Sequence, residues 1–316
     1  MAYNENIRHD HELISKLAGI GLCRASVSIE PLPGGITNQN FRVESEGGTL
    51  VARVCRELPL LGIDRRSEAA AQSAAARLGL APELVHQEEG LLVSRHLAGR
   101  TLAAADLQDF GLIAHVGSAL RRLHDARDAV TGHLVYFCPF QTIRTYARSA
   151  SELGARLPEG IDELLEDARS LQRRIGPFLP ALCHNDLLPA NLIWSDGRLW
   201  LIDWEYAGMG HPLFDLASVA ANASLTGTQE QALLESYRGM IDPRELEEIR
   251  TFKLASSLRE ALWAVIQSVI SELSFDYLGY ASRNFEAYRQ WRDQLPAWSG
   301  RSSLTAAIRH SRCHPE

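Results

Sequence analysis

Cys183-His184-Asn185-Asp186-Leu187-Leu188-Pro189-Ala190-Asn191-Leu192-Ile193-Trp194, followed by Leu201-Ile202-Asp203-Trp204-Glu205-Tyr206, is the passage on which the fold turns. Two apolar runs, Asn191–Trp194 and Leu199–Ile202, flank Ser195-Asp196-Gly197 and predict a small β-hairpin. Asp186 then stands on a tight loop before the hairpin, with Asn191 and Asp203 at the hairpin's opposite ends. Such a set suits phosphoryl transfer. Asp186 can accept a proton from an attacking hydroxyl, while Asn191 and Asp203 offer hard oxygen ligands to a Mg²⁺ ion bridging nucleotide phosphates. His184 reads either as a metal ligand or base, or as a residue that packs and hydrogen-bonds the loop; the second is the expectation.

Upstream, the periodicity predicts an N-terminal helix over Asp10–Leu22 and strands at Ala25–Leu32, Gln39–Glu44 and Thr49–Cys55. An alanine-rich helix over Asp64–Leu78 follows, then short strands at Glu83–His86 and Leu91–His96. Beyond Gly99 the pattern turns helical, with helices at Ala104–Leu123, Pro139–Leu153 and Ile161–Ile175 and further helices to about Trp291. The chain therefore divides near Leu97–Gly99. Residues 1–97 form a small lobe with a five-stranded antiparallel sheet and one helix; residues 98–316 form a larger, mainly helical lobe. The fold class is α+β.

Gly34-Gly35 lies between the first two strands. It is either a hairpin turn that needs positive φ, or a lid whose backbone N–H groups approach phosphate, with Thr37, Asn38 and Asn40 as added donors. Neither a lysine-bearing phosphate loop nor a strand-to-helix GxGxxG is present. Arg53 is the single charge in the apolar run Leu50–Cys55. It either faces water or clamps nucleotide phosphates, with Glu68 of the following helix as its partner. Glu68 would otherwise complement the helix dipole. Arg65, three residues earlier, shares the face of Glu68.

Composition excludes several classes. The 316 residues are 46% apolar and 22% charged, and 32 Lys+Arg against 39 Asp+Glu give a net charge of −7, which argues against general nucleic-acid or acidic-membrane binding. No apolar run is long enough for a membrane span or a signal peptide. The five cysteines are scattered without a CxxC pair, as expected of reduced thiols in a cytoplasmic protein. Oligomeric state leaves no readable mark.

The chain resembles the choline/ethanolamine kinase branch of the aminoglycoside-phosphotransferase group, whose members share a two-lobed protein-kinase-like fold. The likeness runs from Leu32-Pro33-Gly34-Gly35-Ile36-Thr37-Asn38 to Phe275-Asp276-Tyr277-Leu278-Gly279-Tyr280-Ala281. His184-Asn185-Asp186-Leu187-Leu188 is similar to the choline-kinase form of the catalytic loop, with Asn185 where aminoglycoside kinases more usually carry Gly. Ile202-Asp203-Trp204-Glu205-Tyr206 is similar to that family's Asp-aromatic-Glu-Tyr segment, with Trp204 where Phe is commoner. The resemblance implies Asp186 as base, Asn191 and Asp203 as metal ligands, Arg53 with Glu68 as phosphate clamp, and Asp215 as a brace for the catalytic loop. It implies ATP and Mg²⁺ as cofactors, with the adenine against Val93–Leu97, among them Val93, Arg95 and Leu97.

Nine of the 23 aromatic residues fall after Thr251. Phe252, Phe285 and Trp298 read as core packing. Trp263, Tyr277 and Tyr280 read either as core or as faces for a small cation, with Trp204, Glu205, Tyr206 and Asp276 brought beside them by the resemblance. A quaternary ammonium has no N–H to donate, so aromatic faces and diffuse negative charge would recognise it. The expectation is a kinase for the hydroxyl of choline or ethanolamine. The alternatives are a kinase for thiamine, an amino sugar or an aminoglycoside, and a nucleotide-binding pseudokinase.

Overall fold

The structure, a computed structural model, describes residues 13–23, 29–32, 38–55, 58–126 and 129–295. Gly34, Gly35, Thr37 and Trp298 lie outside the described residues. Residues 13–19 are helical (α1). Strands β1 (Ile29–Leu32), β2 (Gln39–Ser45) and β3 (Gly48–Val54) precede helix α2 (Arg65–Arg77), and β4 (Leu84–Glu88) and β5 (Leu91–Arg95) follow it. All five strands join antiparallel in the order β1-β2-β3-β5-β4.

Alternation along these strands decides what faces the site. Phe41 and Val43, Leu50 and Ala52, and Leu91 and Val93 point to one side, where Leu13 and Leu17 of α1 close a small apolar core. Asn40, Arg53 and Leu92 are cross-strand partners in one row and share the opposite face with Val51 and Ser94.

Helix α2 starts where Asp64, in extended conformation, accepts hydrogen bonds from Arg66 N and Ser67 N. Its end is set by Leu78 and by Gly79 at φ 65°. Arg65, Glu68 and Gln72 recur at helical spacing along one stripe, while Ala71, Ala74 and Ala75 join the large core of the C-terminal half. By packing, this helix belongs as much to the second half as to the sheet.

That half comprises β6 (Arg100–Thr101), α3 (Phe110–Asp125), α4 (Pro139–Glu152), α5 (Ile161–Gln172), β7 (Ala181–Cys183), β8 (Leu192–Ser195), β9 (Arg198–Leu201), β10 (Gly208–Gly210), α6 (Pro212–Asn222), α7 (Gly227–Arg238), α8 (Pro243–Ile270) and α9 (Tyr277–Gln294). The hairpin β8–β9 forms at the expected place, turned by Asp196 and Gly197, both at positive φ. Helix α3 begins six residues later than expected. Asp106 accepts from Ala103 N in a 3₁₀ turn, and Asp109, extended, caps Leu112 N, so the helix cannot start before Phe110. Strand β6, which extends the hairpin, and the pair β7–β10 are two or three residues long, too short for a periodic signal. Helix α8 is buried almost continuously from Thr251 to Gln267 and runs through the large core. Among the described residues no helix is long and apolar enough to cross a membrane.

Candidate active site

The loop after β7 is shaped by one buried carboxylate. Asp215, in the first turn of α6, accepts from His184 N through Oδ2 at 2.8 Å and from Asn185 N through Oδ1 at 2.7 Å. Those bonds hold Asn185 at φ 64°, a left-handed conformation that a non-glycine residue adopts only when its surroundings compel it. His124 Nε2 also lies 3.0 Å from Asp215 Oδ2, with its Nδ1 3.0 Å from Tyr237 Oη. Cys183 completes a group of metal-ligand types with His124 and Asp215, but these hydrogen bonds already occupy the last two and burial pushes the thiol up, toward its protonated form.

His184 packs its ring on Trp204 at 4.7 Å and places Nε2 2.9 Å from Ile202 O. Burial lowers its pKa, so it is a neutral packing residue at neutral pH. Asn191 Nδ2 donates to Asp186 O at 2.8 Å, which leaves Oδ1 as the amide's remaining acceptor, and Ile202 N donates to Asn191 O at 3.0 Å. Asp203 follows at φ 65°. One side-chain bond, from Asn191 to the Asp186 carbonyl, and one backbone bond, from Ile202 to Asn191, thus tie the positions of Asp186, Asn191 and Asp203 together within one loop and hairpin. Burial raises the Asp186 carboxyl to about 8; Arg259 opposes that shift, while Glu260 and Asp203 add to it.

A second cluster links the sheet to the hairpin. Arg53 pairs with Glu68 Oε1 through Nη2 and with Asp203 Oδ1 through Nη1 at 2.6 Å. Arg65 reaches Glu68 Oε2 at 2.7 Å, Glu205 Oε2 at 3.3 Å and Asn38 Oδ1 at 3.3 Å. Asn38 Nδ2 in turn donates to Glu205 Oε2 at 3.0 Å. A cavity of about 390 Å³ opens beside this cluster, within the usual range for small-molecule sites. Asn38, Asn40, Arg53, Leu92 and Arg95 line it from the sheet side, Leu97 from the connection, and Asn191 and Asp203 from the hairpin. Those last two present an amide and a carboxylate, a donor set that fits a small, hard divalent cation.

Several expected contacts fall elsewhere. Val93 does not line the cavity: it is fully buried on the other face of β5, and Leu92 and Ser94 face the cavity instead, as strand alternation requires. Trp204 is core, fully buried, with its indole N–H donated to Leu201 O at 3.1 Å. Glu205 belongs to the Arg65–Asn38 cluster and not to the aromatic group. Asp276 caps α9, accepting from Gly279 N at 2.9 Å, and its side chain is 73% exposed. Trp263, Tyr277 and Tyr280 do gather, edge to face at 6.0 and 6.1 Å, with Trp263 and Tyr277 buried. Phe252 and Phe285 are buried core, as expected.

Two residues of the site went unread in the sequence. Arg259 Nη2 donates to Asp186 Oδ1 at 2.5 Å and also pairs with Glu260, and its guanidinium lies 5.0 Å from the Tyr206 ring. Glu260 receives the Tyr280 hydroxyl at 2.9 Å. The signal was available: between Leu254 and Ile266 the only charges are Arg259 and Glu260, and paired charges inside an apolar helix rarely stand there without a partner.

The phosphotransferase enzyme family model matches residues 28–249. Protein LicA of Haemophilus influenzae is 28% identical over 272 residues, covering 83% of this chain and 79% of the relative. The probable choline kinase 3 of Arabidopsis thaliana is 26% identical over 305 residues, covering 83% and 86%. A crystal structure of a choline/ethanolamine kinase family protein from Mesorhizobium loti superposes with a TM-score of 0.75 at 29% identity, covering 89% of this chain and 94% of that one.

Proposed function

From the premise that this chain belongs to the phosphotransferase enzyme family and uses an alcohol group as acceptor, we propose that it phosphorylates choline or ethanolamine with ATP and Mg²⁺. The observation that carries the reading is that Asn191, Asp203 and Arg53 line a single cavity, with Asp186 tied to Asn191 through the bond from Asn191 Nδ2 to Asp186 O.

In this reading the adenine lies along Leu92, Ser94 and Leu97, and Arg53, oriented by Glu68, holds phosphate oxygens. Asn191 and Asp203 hold Mg²⁺, which neutralises phosphate charge when bound. Asp186 orients the acceptor hydroxyl and takes its proton. Positioning and electrostatics supply most of the acceleration. The acceptor's cationic end faces Trp263 and Tyr280, with Glu260 as the nearby carboxylate in place of Glu205 and Asp276. Its scattered free cysteines and nucleotide chemistry fit a cytoplasmic enzyme.

The test is a panel of alcohols incubated with Mg·ATP and followed by formation of the phosphorylated product. It should hold choline, ethanolamine, thiamine, amino sugars and the neutral carbon isostere of choline. Choline or ethanolamine is expected to give the highest kcat/KM, with the neutral isostere far poorer. Preferred phosphorylation of thiamine or a sugar would overturn the acceptor assignment while keeping the kinase.

A further inference from the structure

Arg259 and Glu260 stand in the middle of α8, within its buried stretch. Arg259 Nη1 donates to Asn185 O at 3.0 Å, and Nη2 donates to Asp186 Oδ1 at 2.5 Å and to Glu260 Oε1. The guanidinium carbon lies over two aromatic rings, 5.0 Å from the centroid of Tyr206 and 5.9 Å from that of Phe137. Glu260 is fixed in turn, because its other oxygen accepts from Tyr280 Oη at 2.9 Å. One cation therefore grips both the backbone and the side chain of the loop that carries Asp186, and it is itself held from behind. A planar fork with several fixed donors can impose such an orientation where a flexible ammonium cannot.

Resting on the reading of Asp186 as base, we propose that Arg259 is its positioning residue: it pins Oδ1, so that Oδ2 is the atom presented to the acceptor hydroxyl, and Glu260 with Tyr280 keeps Arg259 in that pose. During transfer the acceptor O–H bond breaks and its proton passes to Oδ2. The oxygen bonds to the γ-phosphorus as the bond to the departing ADP oxygen breaks. Arg259 touches neither reactant and acts only through Asp186.

The experiment is a double-mutant cycle of Arg259→Met and Arg259→Lys with Asp186→Asn, assayed on the acceptor that the alcohol panel identifies. Arg259→Met should lower kcat by about 10²-fold, the scale of a small misplacement of a reacting group, with KM for ATP nearly unchanged. Arg259→Lys, which keeps the charge without the fork, should recover part of the loss, and it carries the comparison if Arg259→Met does not fold. In the Asp186→Asn background neither Arg259 substitution should lower kcat further. Equal losses in both backgrounds, or unchanged kcat in a folded Arg259 variant, would overturn the proposal. Full turnover by Asp186→Asn is a separate result: it would reject Asp186 as base.

Discussion

Arg53, next to last in β3, reaches Asp203 Oδ1 at 2.6 Å, although 150 positions separate the two residues. The same guanidinium pairs with Glu68, so one side chain ties the sheet, α2 and the end of the hairpin together. Replacing Arg53 with methionine leaves a fully buried Glu68 with Arg65 as its remaining guanidinium. Breaking a buried pair in this way costs about 3 kcal/mol of stability. With Arg53 as the proposed phosphate clamp, the variant should also bind Mg·ATP more than about tenfold more weakly. Calorimetric titration and urea unfolding measure the two effects, and undiminished nucleotide affinity would remove Arg53 from the phosphate site.

Asp215 receives two backbone N–H groups and His124 with its two oxygens. Asparagine offers a single acceptor oxygen, so Asp215→Asn must strand one buried donor. The expected loss is about 1–3 kcal/mol, with lowered kcat because the loop that aims Asp186 relaxes. Denaturation at several urea concentrations, read beside steady-state rates, tests both. A variant as stable and active as the parent would show that the loop holds its shape without this brace.

The legible part of this molecule is the part that chemistry forces into a short stretch of chain. Asp186, Asn191 and Asp203 stand within eighteen positions of one another, and a predictable hairpin fixes their relation. Asp215 entered by resemblance, and its hydrogen bonds now give the physical reason for it. Arg259 and Glu260 are legible as paired charges inside an apolar helix, but their partners, Asp186 and Tyr280, come from a distant loop and another helix and carry no local signal. Trp204 and Asp276 misled for the opposite reason. An aromatic and an acid beside a site are suggestive by type, but a core indole and a helix cap use the same residues. Val93 was an error of parity along one strand.

The carboxyl of Asp186 is pushed up to about 8, first by burial and then by Glu260 and Asp203 against the opposing pull of Arg259. A raised carboxyl binds protons in the folded state that the unfolded chain has released, so stability falls as pH rises from 3.8 toward about 8. Activity should run the other way if Asp186 is the base as proposed, because a base must be ionised, and kcat/KM should then climb with pH along an acid limb. Removing the Glu260 charge with Glu260→Gln should move that limb to lower pH. A limb that stays put would show that Glu260 does not act on Asp186, whereas one that moves up would show that Glu260 acts chiefly by holding Arg259.

His211 gives the opposite sign and lies away from the cavity. Its Nδ1 accepts from Leu213 N at 3.2 Å and so caps α6, while its ring packs against Phe178 at 4.1 Å and Phe252 at 4.7 Å. Burial, with Arg238 and His124 adding, holds it down to about 4 from 6.5. The carboxylate of Glu248, 3.7 Å from Nε2, is itself raised by burial and offers little compensation. As pH falls below 6.5 the unfolded chain takes up a proton that the folded state refuses, and protonation would also remove the lone pair that caps the helix. Stability is therefore complete above 6.5 and falls toward pH 4, by up to about 3 kcal/mol at 1.36 kcal/mol for each pH unit of that gap. His211→Asn keeps a capping oxygen without a titrating ring. Guanidinium unfolding at pH 7, 5.5 and 4 should show a shallower acid loss in that variant than in the parent. Equal slopes would mean that other groups drive the acid sensitivity.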